Sequence, residues 1–156
     1  MASTEAQPAP TPVPTTYPAT VNDLPDETLA FAARMFDLAR TGATEELTAY
    51  LDAGLPKNLT NHAGDTLLML AAYHGHADTV SLLLARGADP DALNEKGQSP
   101  LAGAVFKGEE RVVRVLVEGG ANPNIGTPTA VQAATIFSKP EYLELFASRG
   151  QTSAAS

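Results

Sequence analysis

Three histidines, His62, His74 and His76, and two acid pairs, Glu45/Glu46 and Glu109/Glu110, are the side chains of this 156-residue sequence best suited to metal binding or acid–base chemistry. Their spacing argues against both. His74 and His76 are two apart around Gly75, whereas two ligands on one helix face need a separation of three or four. The acid pairs fall where short helices are predicted to begin, and carboxylates there complement the helix dipole. The chain has no cysteine, hence no thiolate ligand or nucleophile. It has neither a phosphate-cradling glycine loop nor a G-x-S-x-G elbow. No metal, cofactor or catalytic residue is therefore expected. The one chemical alternative is an enzyme or small-ligand protein with His74 as base, which a cavity converging on that ring and a perturbed titration would support.

Composition narrows the partners. A hydrophobic content of 44% suits one domain with a buried core. The formal net charge of -8 opposes binding to nucleic acid and to anionic membrane surfaces. The N-terminus, Met-Ala-Ser-Thr-Glu-Ala-Gln-Pro, lacks the basic start and apolar core of a secretory signal. A cytoplasmic protein is expected, and Asn58-Leu59-Thr60 is read as an accidental glycosylation match. Residues 1–22 carry Pro8, Pro10, Pro12, Pro14 and Pro18 and read as a disordered tail without P-x-x-P spacing.

The elements that would position any site are all helical. Leu24-Pro25-Asp26-Glu27 marks a helix start. Leu29, Ala32, Ala33, Phe36 and Ala39 or Arg40 recur at helical spacing as far as Gly42. A second helix is predicted over Thr44–Ala53, with Leu47, Tyr50 and Leu51 on its buried face and Gly54 at its end. Gly54, Gly87 and Gly120 lie 33 residues apart, and so do Gly42, Gly75 and Gly108; Gly150 follows after 30 more, with Ser138 in the inner place. Such a period means units that bury their apolar faces only by stacking on one another.

Thr66-Leu67-Leu68-Met69-Leu70-Ala71-Ala72, Gly75-His76, Val80, Leu82-Leu83-Leu84 and Gly87-Ala88-Asp89-Pro90-Asp91-Ala92 resemble the ankyrin repeat. Gly97, Ser99-Pro100-Leu101, Ala104, Gly108, Val112-Val113, Val115-Leu116-Val117 and Gly120-Ala121-Asn122-Pro123-Asn124 resemble it again, in register. The resemblance implies an all-α solenoid of about four helix-turn-helix units with short hairpin loops. Repeats are expected at about 25–60, 61–93, 94–126 and 127–150 within a domain of 23–150, the first and last degenerate, followed by a disordered tail over 151–156. Thr66, Ser99 and Thr129 are placed to cap first helices, and the glycines to supply left-handed helix ends. Leu82, Leu83, Val115 and Leu116 should fill the core. Ile125-Gly126-Thr127-Pro128 should form a trimmed hairpin. The family's histidine in T-P-L-H is replaced by Met69, Ala102 and Gln132.

The same resemblance implies a site. Tyr73, Phe106, Ile136 and Arg40 occupy one register near the ends of first helices, and Thr41, His74, Lys107 and Phe137 run beside them. In ankyrin repeats these offsets face the concave surface, and the hairpin tips would be His62, Ala63, Asp65, Glu95, Lys96 and Gln98. The expected function is protein–protein interaction, as an adaptor, inhibitor or stabiliser of another protein, in the manner of small stand-alone bacterial ankyrin proteins. A monomer is expected ahead of a homodimer formed through the same apolar strip.

Overall fold

The computed structural model describes residues 26–155, with side chains described up to 148. The Pro-rich segment 1–22 and the predicted helix start at Leu24-Pro25 lie outside the described residues. Eight helices and no strand occur among the described residues: α1 (Asp26–Thr41), α2 (Thr44–Asp52), α3 (Leu67–Tyr73), α4 (Ala77–Ala85), α5 (Pro100–Lys107), α6 (Glu110–Glu118), α7 (Ala130–Ile136) and α8 (Pro140–Ala155). Successive helices pair as α1/α2, α3/α4, α5/α6 and α7/α8. The first helices pack on one another as one layer, α1 on α3 on α5 on α7, and the second helices form the other, α2 on α4 on α6 on α8. The chain is the expected all-α solenoid.

Local chemistry explains why such short helices hold. Thr66, Ser99 and Thr129 each accept a hydrogen bond from the backbone N–H three residues on, at 3.0 Å in every case. Gln132 returns the favour at 2.9 Å to the Thr129 backbone N–H, completing a capping box. The opposite ends close in one repeated way. Ala88 donates to the Leu83 carbonyl and Ala121 to the Leu116 carbonyl, both at 2.9 Å, the long bond of a Schellman turn. The same bond ends the first helices, from Ala43 to Leu38, His76 to Ala71, Glu109 to Ala104 and Lys139 to Ala134.

One continuous core runs between the layers. Leu67, Leu68, Val80, Leu83, Val113, Leu116 and the small Ala71, Ala104 and Ala134 are fully buried. Several expected positions shift. Ala33 is exposed, and Met35 and Leu38 are buried instead. Leu82, Val115, Tyr50 and Leu51 are only partly buried, packed against the margin of the core. On α4 and α6 these positions lie beside the fully buried Leu83 and Leu116, at the margin of the buried face.

The C-terminal boundary also differs from expectation. α8 passes through Gly150 and continues to Ala155, so Gly150 ends no helix and residues 151–155 are helical rather than a structureless tail. The earlier stops are Gly54-Leu55-Pro56, Gly87-Ala88-Asp89-Pro90 and Gly120-Ala121-Asn122-Pro123. Glycine inside a helix costs only about 1 kcal/mol, and it is the following proline that forbids continuation. Gln151-Thr152-Ser153 contains none.

Candidate partner-binding groove

The hairpins between repeats stack by a side-chain device. Asn61 Oδ1 accepts from the Ala63 and Asp65 N–H groups, both at 2.9 Å, and Asn94 Oδ1 from those of Lys96 and Gln98, both at 3.0 Å. Asn94 Nδ2 donates to Asp65 Oδ1 at 2.9 Å and to Gln98 Oε1 at 2.8 Å, and Glu95 N–H reaches the Ala63 carbonyl at 3.0 Å. Asp65 and Gln98, expected as partner contacts, are thus held by the scaffold's own hydrogen bonds. The trimmed hairpin docks its Thr127 N–H on the Gly97 carbonyl at 2.8 Å.

Beside the hairpins the first-helix layer presents two adjoining grooves. The larger, about 430 Å³, is lined by Met69, Tyr73, Gly103, Phe106, Ile136 and Phe137, with Pro100, Ala102 and Pro128 among its walls. The second, about 390 Å³, holds Arg40, Asp65, His74, Asn94 and Lys96, and shares Met69, Tyr73 and Gln98 with the first. Phe106 and Phe137 meet edge to face at 5.3 Å, and Lys107 Nζ lies 4.9 Å from the centroid of Tyr73. Each of these rings belongs to a different repeat, so rigid stacking of repeats sets the spacing.

The surface is apolar where solvent would favour polar groups. Tyr73 is 41% exposed, Phe106 59%, Ile136 66% and Phe137 42%. Among the described residues Leu93 is the one other large apolar side chain so exposed, and gathered exposure of this kind marks an interaction site where scattered exposure does not. Arg40, Lys96 and Lys107 edge the strip. His62 and Glu95 are exposed on the hairpin tips and line neither groove.

Met69, Ala102 and Gly103 are among the groove residues that were not singled out as site positions. Met69 and Ala102 form the buried floor, where the repeat pattern has histidine, and they extend the apolar lining of the groove. Gly103 stands inside α5; a Cβ there would lie 3.7 Å from the Tyr73 ring.

His74 lies on the second groove, its ring edge-on to Tyr73. Partial burial and then the positive charges of His76, Arg40 and Lys107 hold it below the 6.5 of a solvated imidazole. The ring should therefore titrate below 6.5 by NMR, and Lys107→Gln should move the midpoint up; a midpoint at or above 6.5 would contradict this geometry. Because a depressed histidine pKa means that the folded chain resists protonation, this group's contribution to stability is complete above 6.5 and is lost as the pH falls through the folded pKa. His76 is committed elsewhere: its Nε2 lies 2.7 Å from the Arg40 carbonyl, joining the second repeat to the first. Among the described residues no three His, Asp or Glu side chains gather in a metal-sized group, and no helix is long and apolar enough to cross a membrane.

A stack of helix pairs with side-chain-capped first helices and hydrogen-bonded hairpins between them defines a helical repeat protein. The chain belongs to the ankyrin repeat family: the model of ankyrin repeats in three copies matches residues 31–127. It is similar to PA3287 of Pseudomonas aeruginosa, a protein named for ankyrin repeats, with 58% identity over 60 residues that cover 38% of this chain and 35% of that protein. A crystal structure of an ankyrin repeat domain from Acinetobacter baumannii AYE is similar as well, at 29% identity and a TM-score of 0.69, covering 74% of this chain and 63% of that one. The match thus spans about a third of the curated relative's length. Ankyrin repeats are in general protein–protein interaction modules rather than enzymes.

Proposed function

We propose that this chain binds a segment of another protein on its concave face, as an adaptor, inhibitor or stabiliser of that partner, and acts in the cytoplasm. The observation that carries the reading is the strip Tyr73, Phe106, Ile136 and Phe137, exposed side chains of three successive repeats that line one groove. Aromatic anchors with a charged edge are the make-up of an interface centre and rim. A chemical role for His74 is less well supported. Its lowered pKa favours a neutral ring, but the charges that act on it are all positive, with no carboxylate among them to orient it as a base.

Affinity capture from the native cell with wild type and with a Tyr73→Ser/Phe106→Ser variant tests the reading. The variant is expected to lose the partner while its thermal midpoint stays within a few degrees, because both side chains are already exposed. Undiminished capture would remove these residues from the interface, and a collapsed midpoint would make them core. Light scattering of the free protein across a concentration series separates a foreign partner from a second copy of this chain.

A further inference from the structure

The chain carries 18 acidic against 10 basic residues, yet part of its unpaired positive charge stands beside the apolar groove. Arg34, Arg86, Arg111 and Arg114 are paired with Glu46, Asp52, Asp78 and Glu110 along and between the helix pairs. Of the four described lysines, none of which takes part in the ion pairs among the described residues, Lys57 lies beside Gly87 and Lys139 directly precedes α8, which leaves Lys96 and Lys107. Both stand at the concave face, Lys96 on the second groove with Arg40 and His74, and Lys107 over the Tyr73 ring.

Of the acids nearby, one is ion-paired, and Asp65, on the second groove itself, is held by a neutral amide that leaves its charge in place. Asp37 pairs with Arg40 at 2.6 Å and Asp65 accepts from Asn94; Glu95 points from the hairpin tip and lines neither groove. An apolar groove and a charged groove carrying Arg40, Lys96 and Asp65 therefore lie side by side, sharing Met69, Tyr73 and Gln98.

Resting on the reading of the concave face as the binding surface, we propose that its occupant is an acidic, apolar-anchored segment of a partner protein. An aromatic or large aliphatic side chain fills the groove of Phe106, Ile136 and Phe137, and a carboxylate sits over Lys96 and Lys107. Adjacent helices stand roughly 10 Å apart. An extended chain rises about 3.3 Å per residue, so the carboxylate and the anchor lie about three residues apart in the ligand. The two unpaired lysines favour an acidic occupant over a neutral one such as the chain's own residues 6–22, which carry no charged side chain. It also gives a net-acidic protein a way to attract an acidic ligand at one face only.

The probe is a phage-displayed library of random twelve-residue peptides selected on the full chain. Enriched peptides are synthesised with a fluorophore and titrated by polarisation. They are expected to carry Asp or Glu about three positions from an aromatic or large aliphatic residue. Binding should be abolished by Phe106→Ser and weakened roughly three- to tenfold by Lys96→Gln/Lys107→Gln, as expected for two exposed ion pairs. That loss should shrink at 0.5 M salt, where charges are screened beyond about 4 Å. Replacing the peptide's carboxylate by its amide should produce the same loss in wild type and little more in the lysine variant.

Peptides that need Phe106 but ignore the lysines would overturn this proposal and leave the concave-face reading standing. Peptides indifferent to Phe106 would overturn both. Enrichment of uncharged proline-rich peptides would assign the groove to the chain's own N-terminal segment, and an empty selection would count against an acidic peptide ligand altogether.

Discussion

Leu83→Ala is expected to lower the stability of the folded chain by about 2–5 kcal/mol, seen as a fall in thermal midpoint on the order of 10 °C. Leu83 is fully buried in α4, a helix that packs on α2 on one side and on α6 on the other. Truncating it removes apolar contacts and leaves a cavity that repeats on both sides would have to close. In a solenoid, stability is close to a sum of repeat and interface terms, so a defect in an interior unit weakens both of its interfaces. Leu82 is the control, adjacent in sequence but only partly buried. Leu82→Ala should cost well under half as much. If chemical denaturation gave the two substitutions equal effects, or put Leu82 ahead, the helix register deduced for α4 would be wrong. Loss of a single cooperative transition in Leu83→Ala, with the two ends exchanging amide hydrogens at different rates, is the expected accompaniment.

That register was legible because burial in repeats follows period and the period was written in glycines. The 33-residue spacing locates Leu83 and Leu116 in equivalent places without any structure, and both are fully buried. The places where sequence reasoning failed share a physical cause: they depend on what lies next to an element rather than on the element itself. Among the described residues α1 has a neighbouring repeat on one side only, and its buried stripe takes Met35 and Leu38 and leaves Ala33 exposed. Gly150 matches the period but lacks the proline that follows the other helix-ending glycines, and the helix runs through it.

The groove was half legible. Its aromatic wall could be read from Tyr73 and Phe106 in one register. Its floor could not, because Met69 and Ala102 matter through the histidines they replace, and Gly103 through the ring that stands across from it. Asn61 and Asn94 were visible as a pair 33 apart, but an asparagine in a turn reads as local chemistry, and their role in tying hairpin to hairpin is a matter of three dimensions. The outcome is that Asp65 and Gln98 belong first to the scaffold, while Tyr73, Phe106, Ile136 and Phe137 are left over from it.

Three equivalent glycines give the second large expected effect, with its controls built in. Gly42, Gly75 and Gly108 end first helices at φ of +76°, +81° and +73°, where an alanine is strained by about 1–2 kcal/mol, offset in part by its smaller unfolded-state entropy. What a new methyl meets differs. At Gly108 nothing lies within 4 Å; at Gly75 it would stand 2.6 Å from a Glu109 carboxylate oxygen, and at Gly42 2.6 Å from His76 Nδ1. The Glu109 carboxylate is the far end of a flexible chain and can swing away. The His76 ring is held by the bond from Nε2 to the Arg40 carbonyl at 2.7 Å, so moving it forfeits a hydrogen bond between repeats, a further loss of about 1–2 kcal/mol. The costs should therefore rank Gly108→Ala, about 1 kcal/mol, below Gly75→Ala, and Gly42→Ala highest at about 2–3 kcal/mol. Adding His76→Ala to Gly42→Ala should cost little more, a coupling of about 1 kcal/mol or greater in the double-mutant cycle. Equal costs at the three sites, or additive behaviour of Gly42 and His76, would show that backbone strain alone governs these turns. Ser138 supplies the converse, since it occupies the same place in the last repeat at φ 56°. Ser138→Gly should then raise stability by about 0.5–1 kcal/mol.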